Sequence, residues 1–388
     1  MRARAWGRRP RPHPLRHGRR AVTLPAVLAA AAALGVPAAA GATPAAGTEW
    51  NRMQVPADVV AQAQLFDVSA PDRSTAWAVG VERIGVDLSG DPLVLRLRAG
   101  RWSKEPLGVT WRGELRHVAA VSRDEVYAAG TDASRVPRIV RWDGRSWQEE
   151  ALPGADGLLV VQTMAAAPGH RPWILARSAG QLFLLHRTAA GWERVAVPPA
   201  PFTTLTIDVD RAGVLWVAGY EPAVDAPALR LYRYVAGVPR AVPTADPAPA
   251  VFASSVIAGP AGVWVGGSTP TGTSAIVGWD GRRWLAGRLD GPTFGAARVT
   301  ADAWGRPAWA LHTYGVNPDG TGEPGYLKLV NGVWTRRPSA PNAGTETGTP
   351  TISGLTAVPG TWSSIAVGWV GTTDRGAVPR IEREWGRQ

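Results

Sequence analysis

Apolar runs ending in glycine return along this chain about every 45 to 50 residues, each followed by a polar turn and a tryptophan. The first, TAWAVG at 75–80, leads to AGRW at 99–102. The run returns as EVYAAG (125–130), RPWILA (171–176), VLWVAG (214–219), GVWVGG (262–267), RPAWAL (306–311) and SSIAVG (363–368). The tryptophan returns at Trp147, Trp192, Trp284 and Trp334, with AGVP (236–239) standing in once. Short strands at such a period are the pattern of propeller blades. Their unbroken apolar character suits a strand covered on both faces by neighbouring sheets.

Four strands can be laid out in each repeat. In the second, LRHVAAV (115–121) is strand a, VYAAG (126–130) strand b, RIVRW (138–142) strand c and WQEEAL (147–152) strand d. DGRS at 143–146 supplies the Asp-Gly turn between c and d, and IVGWDGRRW (276–284) repeats that hairpin. The last repeat has strands a (352–358), b and c (RIEREW, 380–385) but stops where d is due. EWNRMQVP (49–56) has the strand-d pattern ahead of the first repeat. The expectation is an all-β, seven-bladed β-propeller of four-stranded antiparallel blades, its ring closed by an N-terminal strand completing the last blade. Closure removes the free sheet edge of an open array. A disordered tail over 43–56 is the alternative.

Charge changes the picture only at the N-terminus. Residues 1–42 hold eight Arg and no acid, so the net +11, less those eight, leaves +3 for the rest. That balance gives no reason to expect a nucleic acid partner. The basic stretch to Arg20, the Ala-rich run Ala26–Val36 and the small residues at Ala38, Ala40 and Ala42 read as an export signal over 1–42. Arg19-Arg20 leaves a twin-arginine route open, and the uncharged stretch Ala21–Thr48 leaves an uncleaved anchor open, although Pro25 and Pro37 interrupt it. A flexible segment (43–48) then leads to one propeller domain (49–388), expected to be secreted, monomeric and free of the membrane once the signal is cleaved. With no cysteine, disulfides, thiol catalysis and Cys-ligated metals are excluded.

Strand b ending in Gly and a Trp after the c–d turn resemble kelch-type blades and the propeller of galactose-oxidase-like proteins. GVWVGGSTPTGTSAIVGWDGRRW (262–284), with its double glycine Gly266-Gly267, carries the resemblance best. The copper site of galactose oxidase needs a cross-linked Cys, and this chain has none. The repeats also resemble those of secreted actinobacterial propellers, a resemblance that implies no defined reaction.

Most of the 19 Trp fall at repeated positions and read as wedges between blades. These include Trp77, Trp173, Trp216, Trp264 and Trp309 in strand b, and Trp142, Trp279 and Trp385 at the end of strand c. Trp111 and Trp369 fall outside that pattern, on the face where the d–a and b–c connections open; Trp304 and Trp362 lie on the other. Long b–c loops (81–92, 220–227, 312–325) should bring Tyr220 and Tyr314 to the first face with Asp87, Asp91, Glu221, Asp225, Asp319 and Glu323. Rings beside carboxylates suit a protein, peptide or cell-envelope glycan, and variable loops on a rigid scaffold are where function concentrates. The competing expectation is a glycoside hydrolase or lyase, which needs carboxylates about 5–10 Å apart. No catalytic residue, metal site or cofactor is assigned. GTGEPG (320–325) neither follows a strand nor opens a helix, so it is not a nucleotide fingerprint. His117 falls in an inner strand and reads as a satisfied core or channel histidine rather than a ligand; Asp208-Val209-Asp210 ends another, a place for a turn cap more than for a cation.

Overall fold

The computed structural model describes residues 49–385, apart from 87–88, 155–158, 200–201, 203, 223–227, 244–247, 292, 294, 313–324 and 375. These residues form seven antiparallel sheets and no helix. Blade 2 shows the plan: a (Gly113–Ala120), b (Val126–Asp132), c (Pro137–Trp142) and d (Trp147–Glu150), hydrogen-bonded in that order. Blade 6 departs from four strands. Arg288–Leu289 runs parallel to its strand d (Val333–Pro338), where the connection from blade 5 covers an otherwise bare outer edge.

The N-terminal strand closes the ring. Trp50–Arg52 pairs antiparallel with strand c of blade 7 (Ala377–Glu384), with Trp50 opposite Glu384 and Arg52 opposite Glu382. Trp50 is fully buried, stacked on Tyr326 of blade 6 at 4.1 Å and edge-on to Trp309 at 5.0 Å. Beneath it lies a buried polar network. Arg380 pairs with Glu382 and Glu346, and Arg52 also pairs with Glu346. The Tyr326 hydroxyl donates to Glu382 at 3.0 Å. These charges are matched one to another, which is what allows them inside.

The glycine ending strand b has a steric cause. In blade 2 the pairing of strands a and b slips between Leu115 and His117, so Arg116 is an extra residue in strand a. That bulge sets the Glu114 carbonyl where a Cβ on Gly130 would come within 1.9 Å of it. The same slip occurs in blades 1, 5 and 7, where Gly80, Gly267 and Gly368 meet the carbonyls of Gln64, Phe252 and Thr351.

The described tryptophans at the repeated positions pack against neighbouring strands, with one exception. Trp77 lies 5.5 Å from both Trp142 and Trp147 across the joint of blades 1 and 2, and Arg96 covers its face at 4.4 Å. Trp385 was expected to pack at the end of strand c. It lies instead one residue past the strand, 56 % exposed, with Arg383 stacked on it.

Candidate functional site

The inner strands surround a small polar cavity of about 220 Å³ on the propeller axis. Its wall holds Asp67, His117, Thr163, Thr206, Asp208, Ser255 and Arg298. Polar groups this deep need partners, and five of the seven find them on the next blade. The amide of Val118 (blade 2) donates to Asp67 Oδ2 (blade 1) at 3.0 Å, and that of Val299 (blade 6) to Ser255 Oγ (blade 5) at 2.7 Å. His117 bonds the backbone of Val161 on blade 3. Two residues further along strand a, Ser69 accepts from Ala120 N at 3.1 Å and Asp208 from Ala258 N at 3.1 Å. Arg298 reaches the Ser353 carbonyl on blade 7 at 2.8 Å. Residues of quite different chemistry thus make one kind of contact, a side chain clasping the adjacent inner strand. The signal was in the sequence as a polar residue recurring inside strand a. Of the Asp208-Val209-Asp210 segment, Asp208 clasps a neighbour and Asp210 caps the turn, accepting from Ala212 N and Val214 N.

Burial pushes the Asp208 carboxyl up to about 7 and that of Asp67 to about 6, the latter restrained by Arg298 and by backbone amides. Burial also lowers His117 to about 4. From pH 4 to 7 the native state keeps a proton on Asp208 that the unfolded chain has released, so this group's contribution falls as pH rises. His117 acts oppositely between pH 4 and 6.5, where only the unfolded chain holds its proton. Asp208→Asn keeps an acceptor for Ala258 N and removes the ionisation. It should stabilise the protein above pH 7 by at most ~4 kcal/mol, trimmed by solvent in the cavity, and the difference should vanish near pH 4. Urea midpoints from pH 4 to 8 check this; equal pH slopes for the two proteins would contradict it.

On the loop face the predicted residues separate. Asp87, Asp225, Tyr314, Asp319 and Glu323 lie outside the described residues. Tyr220 is not a loop residue: strand b of blade 4 (Leu215–Glu221) runs on past its glycine, burying the ring 4.3 Å from Phe252. Glu221 ends that strand, paired with Arg230 at 3.0 Å. Trp369 lies within strand b of blade 7 (Ser364–Thr372), opposite Thr351 and Pro379. Of the described candidates, Asp91 and Trp111 come to one region, the rim of blades 1 and 2. Asp91 holds Arg83 at 3.0 Å and Arg112 at 3.6 Å, while the Trp111 indole donates to Glu149.

Beside that rim a cleft of about 460 Å³ opens over blades 1 to 3, and His117 borders both it and the axial cavity. Its walls are Ser89, the start of strand a of blade 2, the end of strand b of blade 2 with Ala133 and Arg135 of the turn after it, and Val160 and Val161. Its carboxylates are committed. Glu114 pairs with Arg116, and Asp132 accepts from Arg138 at 2.7 Å and from the amides of Ser134 and Val136. Arg135 and Val160 are exposed. Among the described residues, no group of three His, Cys, Asp or Glu is placed to hold a metal ion.

This arrangement of sheets is a seven-bladed β-propeller. No protein-family model and no curated protein matches the sequence. Solved structures do match. YCF48 bound to D1 peptide is 14% identical over 88% of this chain and 98% of its own, with a TM-score of 0.52. A Mycobacterium tuberculosis puromycin-hydrolysing peptidase is 16% identical over 87% of this chain and 56% of its own, also at 0.52. The SapL1 lectin in complex with alpha methyl fucoside is 13% identical over 74% of this chain and 98% of its own, at 0.44. At such identities the likeness is one of fold alone.

Proposed function

We propose that this propeller is an exported binding module whose loop face, at the cleft over blades 1 to 3, receives a protein or peptide partner. The carrying observation is that each described carboxylate in the cleft is already held by an arginine or by backbone amides. Fixed, neutralised charges recognise and orient; they are poorly placed to exchange protons with a substrate. Exposed Arg135 and Val160 add a cation and an apolar contact. The rings counted on for a sugar are less suited: Tyr220 is buried and the Trp111 indole N–H is taken by Glu149. A cell-envelope glycan is thus the second choice of ligand. The rival enzymatic reading has one point in its favour, the raised carboxyls of Asp67 and Asp208 near the axis. Their contacts weigh against it, since His117 and Ser255 make equivalent contacts without an acid.

The test is binding of the full chain to arrays of peptides and cell-wall glycans. Saturable binding to peptides is expected, weakened about tenfold by Arg135→Ala. Retention of glycans alone, or of nothing, would contradict the proposal.

A further inference from the structure

A larger groove lies on the opposite face, between blades 4 and 5. The a–b turns of both blades and the c–d turn of blade 5 form its floor, strands c and d of blade 4 one wall, and its volume is about 690 Å³. Arg211, Arg233 and Arg240 line it. All three are exposed, and none has a hydrogen-bond or ion-pair partner among the described residues. Arg233 and Arg240 are directly opposed on neighbouring strands. Like charges in that position repel, and an anion between them converts the repulsion into two attractions.

The acids nearby do not serve as that anion. Asp210 Oδ1 accepts from Ala212 N and Val214 N, and its Oδ2 from the Trp216 indole at 2.9 Å. Asp280 accepts from the amides of Arg282 and Arg283. Charge rather than aromatic surface characterises the groove. Trp279 is buried against Trp284 at 5.4 Å, and Trp216 is half-buried with its indole N–H held by Asp210 at 2.9 Å. What remains is three guanidinium groups beside an apolar strip of Val242, Pro243 and Val263. The chain's own N-terminal segment is no match, with eight Arg and no acid in residues 1–42.

We propose that this groove binds an acidic peptide segment of a partner protein, its carboxylates spanning Arg233, Arg240 and Arg211 and an apolar side chain resting on the strip. It is separate from the loop-face cleft and opens on the other side of the ring.

The probe is a fluorescein-labelled peptide of alternating glutamate and leucine, with its glutamine counterpart, titrated against the full chain by anisotropy. Saturable binding of the glutamate peptide is expected. Arg233→Ala with Arg240→Ala should weaken it by at least about tenfold. Arg98→Ala with Arg101→Ala, a cross-strand arginine pair of blade 1, should leave it unchanged. Unchanged melting temperatures would show that all these variants fold. Four results would overturn the proposal: no saturable binding, equal binding of the glutamine peptide, equal loss in the blade 1 pair, or a heparin oligosaccharide binding where the peptide does not.

Discussion

Trp50→Ala is expected to destabilise the propeller by about 3–5 kcal/mol, the range for emptying a large aromatic site in a core. The indole is fully buried, stacks on Tyr326 and meets Trp309 edge-on, so its loss opens a void at the joint of blades 6 and 7. The void adjoins the hydroxyl of Tyr326 and, through it, the buried Glu382–Arg380 pair. Water entering there weakens the network that the closing strand covers. Besides the indole, the three-residue strand is held by the Arg52–Glu346 pair and, just ahead of it, by Lys328, which bridges Glu49 at 3.1 Å and Glu384 at 3.2 Å in partly solvated contacts. The melting temperature should fall by roughly 5–10 °C. Hydrogen exchange should rise first in the amides of Ala377–Glu384, whose outer partner is lost. A variant that melts with the wild type would mean that the N-terminal strand does not lock the ring.

Gly130→Ala is the second large effect, at about 3 kcal/mol or more. The new methyl would meet the Glu114 carbonyl oxygen at 1.9 Å and Leu115 Cα at 2.7 Å, both backbone atoms that no rotamer change can move. Relief requires undoing the bulge, and the bulge sets the register of strand a. That register carries His117 to its contact with blade 3 and the Val118 amide to Asp67. Gly100→Ala is the control. Gly100 has φ of 78° but no atom within 4 Å of an added Cβ, so it should lose only about 1 kcal/mol for backbone strain. Chemical denaturation of both variants separates steric exclusion from conformational preference, and equal losses would contradict the bulge argument.

Much of the architecture was legible in the residues. Strand b announces itself as an apolar run such as TAWAVG, and DGRS can hardly be other than a turn. The closing strand was legible because two incomplete ends, RIEREW and EWNRMQVP, make one blade. What stayed hidden depends on neighbours distant in sequence. Asp67 reads as a polar interruption of a strand until the amide of Val118 arrives from the next blade. Tyr220 reads as the first loop residue because the apolar run ends at Gly219, whereas the pairing continues through Glu221 opposite Ala228. The arginine groove is built from four separate stretches on two blades, and no local pattern links Arg211 to Arg240. Asp91 and Trp111 share one rim, each already engaged with a charged neighbour.

The central claim, that this propeller recognises a partner through its loop face rather than transforming a substrate on its axis, is tested most directly by one comparison. Peptide and cell-wall glycan arrays, with product release recorded alongside, would be run on the full chain, Arg135→Ala, and Asp67→Asn with Asp208→Asn. The account predicts peptide binding that survives the paired asparagine variant, weakens in Arg135→Ala and releases no product. Product release by the wild type that survives Arg135→Ala and disappears in the asparagine variant would contradict it.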